Sequence, residues 1–120
     1  MSKPDIISRQ DIQTLVDRFY DKVKSDSLLA PVFSHVDWPA HLPVMYSFWA
    51  SILLGEVGYT GNPFQKHVSL PISALHFRQW LVLFHQTIDE NFSGDKADEA
   101  KSRASNIAGV FQFKLGLANA

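Results

Sequence analysis

Apolar side chains recur along this chain at helical intervals, and no stretch alternates long enough to predict a strand. Ile12, Leu15, Val16, Phe19, Tyr20 and Val23 share one face of a 3.6-residue period, and Ser8-Arg9-Gln10-Asp11 has the Ser-x-x-acid form of a helix start. This predicts an amphipathic helix of about four turns. The segment from Asp26 to Phe33 reads as a short turn or helical fragment that carries Phe33 inward. Asp37 and Pro39 supply cap and first-turn signals for a second long helix, striped by Leu42, Met45, Tyr46, Trp49, Ile52 and Leu53. A second stripe, His41, Met45, Phe48 and Ile52, puts an imidazole on an apolar face.

Gly55 to Pro63 reads as loop. Ser73 caps a third helix with Phe77, Trp80, Leu81, Phe84 and Ile88 as its buried seam, and Phe92-Ser93-Gly94 ends it. A fourth helix starts near Asp95, with Ala97, Ala100, Ala104, Ile107, Ala108, Phe111 and Leu115 along one side, and its small residues permit close approach of a neighbour. The expected fold class is all-α, in a single domain over residues 1–120.

Composition narrows the functions. The hydrophobic fraction of 46%, with nine Phe and three Trp, leaves apolar surface to line a ligand pocket. A net charge of −1 and no basic face argue against nucleic acid as a partner. Cysteine is absent, which removes disulfides, thiolate metal sites and covalent haem attachment. No stretch approaches the roughly 20 apolar residues of a membrane span, and no signal core opens the chain, so a cytoplasmic protein without membrane attachment is expected.

Five histidines occur, at His35, His41, His67, His76 and His85. His67 stands apart, because Pro63 and Pro71 bound a short segment around it and no long helix can run through it. Two readings of it stay open on these grounds, a loop histidine at a helix start or an iron ligand on a direction-fixing segment. Tyr20, His41 and Trp80 place O–H and N–H groups on otherwise apolar helix faces, where each needs a partner or costs about 1–3 kcal/mol. Each is a core residue bonded locally, or the three share one bound ligand. His41 would then donate to that ligand or swing outward to admit it. Rival metal chemistry lacks its motifs, since no Glu has a His three residues on and no His-Glu-x-x-His occurs.

The ordered markers Phe19-Tyr20, Pro31-Val32-Phe33, Trp38-x-x-His41, Phe48-Trp49, Leu54-Gly55, Tyr59-x-Gly61-x-Pro63-x-x-x-His67, Trp80-Leu81-x-Leu83-Phe84 and Arg103-Ala104-x-x-Ile107-Ala108-x-x-Phe111 span Ile12 to about Lys114. In this order they resemble the truncated haemoglobins, and more narrowly their third group. No glycine precedes Gly55, whereas the other truncated groups carry Gly-Gly pairs near the first helices. The resemblance implies a two-over-two helical globin sandwich holding haem b (iron protoporphyrin IX). It implies His67 as the proximal iron ligand, Tyr20, His41 and Trp80 as the distal ligand-stabilising set, and Phe19, Phe33, Met45 and Phe48 as apolar wall. Haem propionates need cationic or hydroxyl partners at the pocket mouth, and Lys66 and Arg78 suit by position, Tyr59 less well.

The implied function is non-covalent haem binding with dioxygen, nitric oxide or carbon monoxide as ligand. A charge-assisted hydrogen bond contributes about 1.5–3 kcal/mol, and each 1.4 kcal/mol is about tenfold in rate, so three donors hold a ligand more firmly than release requires. Oxygen or nitric-oxide chemistry, or sensing, is therefore expected ahead of bulk oxygen transport, and an enzyme here would be of the nitric-oxide dioxygenase or peroxidase type, with a reductase supplying electrons. The alternative is a cofactor-free helical interaction domain in which His67 and the aromatics fill a core.

Overall fold

The computed structural model describes residues 3–34, 36–56 and 73–114. Four helices are present in that part of the chain: α1 over Arg9–Ser25, α2 over Trp38–Leu53, α3 over Ala74–Asn91 and α4 over Asp95–Lys114. Helix α1 packs on α2 and α3 packs on α4, while α1 also crosses onto α3 and α2 touches α4 more lightly. Two helix pairs lie one over the other, as expected. His67, Lys66, Tyr59 and Leu115, and most of the expected loop from Gly55 to Pro63, lie outside the described residues.

Local chemistry sets the helix ends. Ser8 is the N-cap of α1; its hydroxyl accepts from the Asp11 N–H at 3.3 Å, and the Asp11 carboxylate accepts from the Ser8 and Ile7 N–H groups at 3.1 and 2.9 Å. Asp26 ends α1 and starts the inward turn, accepting from the N–H groups of Leu28 and Leu29 at 3.0 and 2.9 Å. Helix α2 begins where Asp37 and Pro39 predict, but the cap is made by backbone alone: the Asp37 carbonyl accepts from Ala40 and His41 at 3.1 and 2.9 Å, and its side chain makes no cap bond.

The core lies between the two pairs. Ile12, Leu15, Val16, Phe19 and Val23 from α1 meet Trp49, Ala50 and Leu53 from α2 and Phe84 and Ile88 from α3. Helix α4 brings Ala97, Ala100, Ala104 and Ala108, all buried; only methyl groups separate its backbone from the neighbours there. Thr87 is fully buried and satisfies its hydroxyl by donating to the Leu83 carbonyl at 2.7 Å.

An N-terminal strap closes the α3–α4 corner. Asp5 accepts from the Lys96 and Ala97 N–H groups at 3.0 and 2.9 Å, satisfying donors at the start of α4, and Ile6 beside it is fully buried. Burial pushes the Asp5 carboxyl up, but the N–H donors of Lys96, Ile6 and Ala97 and the Lys96 charge outweigh it and hold the group below its usual range. Gly94 turns the corner at φ +131°, and a Cβ there would sit 2.6 Å from the Asp5 carboxyl carbon. Only glycine meets both demands.

Candidate functional site

All four helices contribute to one cleft lined mainly by apolar side chains. Helix α1 gives Tyr20, the turn after it Leu29 and Phe33, and α2 gives Met45, Phe48 and Trp49. From α3 come His76, Phe77 and Trp80, and from α4 Ile107, Ala108 and Phe111. The last two sets repeat one spacing, i, i+1 and i+4, which a 3.6-residue turn gathers on a single face. Among the described lining residues only Tyr20, Trp49, His76 and Trp80 carry polar side-chain atoms.

Tyr20 is 3% exposed and its ring is held by Phe19 at 4.9 Å, Trp38 at 5.0 Å and His41 at 5.4 Å between centroids. Burial pushes its phenol far above the usual value, so the group stays an O–H donor at any physiological pH. Trp80 is fixed by a near-parallel stack on Phe84 at 5.5 Å and 8°, with the edge of Phe19 against it at 5.5 Å and 89°. Phe84 in turn stacks on Trp49 at 4.9 Å. This aromatic column runs from the core to the cleft wall and sets the direction of the Trp80 indole.

The expected site residues divide by placement. Tyr20, Phe33, Met45, Phe48 and Trp80 are brought together in the cleft. Phe19 stands one layer behind, packed against Tyr20, Trp80 and Phe84. His41 is not among the lining residues; it is half-buried beside the cleft, its ring edge-on to Tyr20 and to Trp38 at 5.6 Å. Arg78 is not brought to the cleft. It lies two residues from both His76 and Trp80, which puts it on the far side of α3, where it borders a separate open depression with Leu81, His85 and Gln112.

Two polar lining residues, Trp49 and His76, have no expected cleft role. Trp49 belongs to the α2 stripe and to the Phe48-Trp49 marker. His76 is one histidine among five, although Ser73-x-x-His76 has capping-box spacing and His76 lies one turn before Trp80. The imidazole Nδ1 accepts from the Ser73 backbone N–H at 2.9 Å, with the Ser73 hydroxyl also 2.9 Å away.

The walls and donors fit a haem: aromatic and aliphatic surfaces suit a flat apolar macrocycle, and Tyr20 and Trp80 offer O–H and N–H groups to a small polar guest. Comparison with known proteins points the same way. Residues 5–111 match the model of the bacterial-like globin family. The chain is 33% identical to the group 3 truncated hemoglobin ctb of Campylobacter jejuni, covering 94% of each sequence. It is 36% identical to the group 1 truncated hemoglobin GlbN of Nostoc commune, over 86% of this chain and 89% of that one. The crystal structure of the group III truncated hemoglobin from Campylobacter jejuni superposes with a TM-score of 0.86 at 34% identity, covering 94% of both chains. The chain therefore belongs to the bacterial-like globins, as a truncated haemoglobin of the third group.

Proposed function

We propose that this globin holds haem b without covalent attachment, with His67 as the iron ligand, and that it acts in oxygen or nitric-oxide chemistry or sensing instead of bulk oxygen transport. Binding of haem and of small diatomic ligands follows from membership of the truncated haemoglobins. When bound, haem supplies an iron centre able to coordinate such a ligand. The observation that carries the finer reading is that buried Tyr20, its phenol pKa raised by burial, and Trp80 both line one largely apolar cleft.

Each residue has a part in that reading. Leu29, Phe33, Met45, Phe48 and Phe111 exclude water from the macrocycle faces. Tyr20 donates its hydroxyl proton to the diatomic guest, and Trp80 donates its indole N–H to the same guest from the other helix pair. His41, edge-on to Tyr20, fixes the Tyr20 ring and stands where rotation of its side chain alters access. Of the three diatomic ligands, dioxygen is the one such donors would serve best, because it would be the most polarised. Turnover as a nitric-oxide dioxygenase or peroxidase needs electrons from outside the chain, the part of a reductase. Cytoplasmic residence belongs to the same reading; among the described residues no helix is long and apolar enough to cross a membrane.

The test is a visible spectrum. Purified protein mixed with haem develops a Soret band, and His67→Ala loses most of its haem on gel filtration while His41→Ala retains it. A protein that takes up no haem would instead be a cofactor-free helical domain, and a His67→Ala variant with a full haem load and an unchanged ferrous spectrum would remove His67 from the iron.

A further inference from the structure

We propose that His76 is a haem-carboxylate clamp: its Nε2–H, directed by the Ser73 cap, donates to a propionate at the rim of the cleft. The inference rests on the haem reading above and deepens it.

A backbone N–H can only donate, and the Ser73 N–H points at His76 Nδ1 from 2.9 Å. In the neutral imidazole Nδ1 must then be the acceptor, so the hydrogen resides on Nε2. The other ring nitrogen, Nε2, is thus a donor with no lone pair to offer, on a side chain that lines the cleft. This excludes His76 as a second iron ligand while the cap is intact, since coordination through Nε2 would move the hydrogen to Nδ1 and oppose it to the Ser73 N–H. What a fixed N–H donor suits is an acceptor, and haem carries two carboxylates.

Position supports the same partner. His76 lies one turn before Trp80 on the cleft face of α3, yet it is half-buried, whereas Tyr20 is closed off from solvent. Carboxylates of a haem belong at such a rim, where water completes their solvation. Arg78, the α3 cation nearest in sequence, faces the opposite side of the helix and does not reach the cleft. Capping and clamping are also coupled: the bond that starts α3 orients the ring, so the donor is set before haem arrives.

Two substitutions separate clamp from cap. In His76→Gln and His76→Glu the side-chain oxygen replaces Nδ1 in the capping box. Gln keeps an N–H for the carboxylate; Glu has none and repels it. The readout is the rate at which haem passes to an excess of a high-affinity haem acceptor, measured with iron protoporphyrin IX and with its dimethyl ester, which lacks the carboxylates. With free-acid haem His76→Glu loses haem about tenfold faster than His76→Gln or more, the loss of one charge-assisted bond. With the ester that ratio falls below about twofold, because the charge-assisted acceptor is gone. Equal rates for the two variants with free-acid haem, or the same ratio with the ester, overturn the clamp and leave haem binding standing. Failure of the wild-type protein to take up either haem overturns the haem reading and the clamp together.

Discussion

Removal of the Tyr20 hydroxyl and the Trp80 indole N–H, singly and together, tests whether both act on one guest. Tyr20→Phe keeps a ring packed against Phe19, Trp38 and His41 at 4.9, 5.0 and 5.4 Å, so its effect on stability is confined to the hydroxyl, about 1 kcal/mol or less. Trp80→Phe likewise keeps an aromatic ring on Phe84. Ligand release is a different matter. Each charge-assisted bond lost is worth about 1.5–3 kcal/mol, which is roughly 10- to 150-fold in the dioxygen dissociation rate. Because two donors face one acceptor, either single variant leaves a neighbour to take over, and each accelerates release by less than that amount. The double variant accelerates it by more than the product of the two singles. Stopped-flow displacement of dioxygen by carbon monoxide measures all four rates, and thermal unfolding checks that the fold is intact. If the singles multiply strictly, the two donors do not share one guest, and if they do so with both effects below about twofold, the two side chains are core residues satisfied elsewhere.

Two further outcomes concern stability. Asp5→Asn keeps one oxygen for Ile6 and Ala97 but turns an amide N–H toward the Lys96 N–H, lowering the urea-unfolding free energy by about 1–2 kcal/mol at neutral pH. The Asp5 folded value is depressed, so its contribution is present above the ordinary 3.8 and is lost as pH falls through the folded value; the gap between wild type and variant therefore closes in that acid range, and a gap indifferent to pH refutes the assignment. Gly94→Ala destabilises more than Gly55→Ala in the same assay. Both have positive φ, costing about 1–2 kcal/mol, but only at Gly94 would the new Cβ meet the Asp5 carboxyl, while at Gly55 no atom of the described residues lies within 4 Å.

Much of the fold was legible because helix ends are written locally. Ser8 with Asp11, Asp26, Ser73 and the Phe92-Ser93-Gly94 corner each act within a few residues of themselves, and the described helices begin and end there. The cleft was legible where apolar periodicity and aromatic donors coincide, as at Tyr20, Met45, Phe48 and Trp80. Arg78 was drawn in by charge and proximity in sequence, and helical geometry turns it away from Trp80. The signal of His76 is split: the capping box usually carries an acid or amide at that place, and an imidazole there does not announce itself. Asp5 had no local signal at all, since its partners at the start of α4 are more than ninety residues away.

That distance also bears on how long the native state lasts. Asp5 precedes its N–H donors by more than ninety residues, so during synthesis at about 5–20 residues per second the carboxylate waits roughly 5–20 s for them. A link across so much chain forms only after the helices have drawn the two regions together, because closing the loop unaided costs several kcal/mol, about 4 by the logarithmic law. Contacts that form late weigh on the unfolding rate and scarcely on the folding rate. The strap at the α3–α4 corner thus acts as a latch: it contributes little to reaching the globin fold and much to the time the fold persists, and so to how long a bound cofactor stays enclosed.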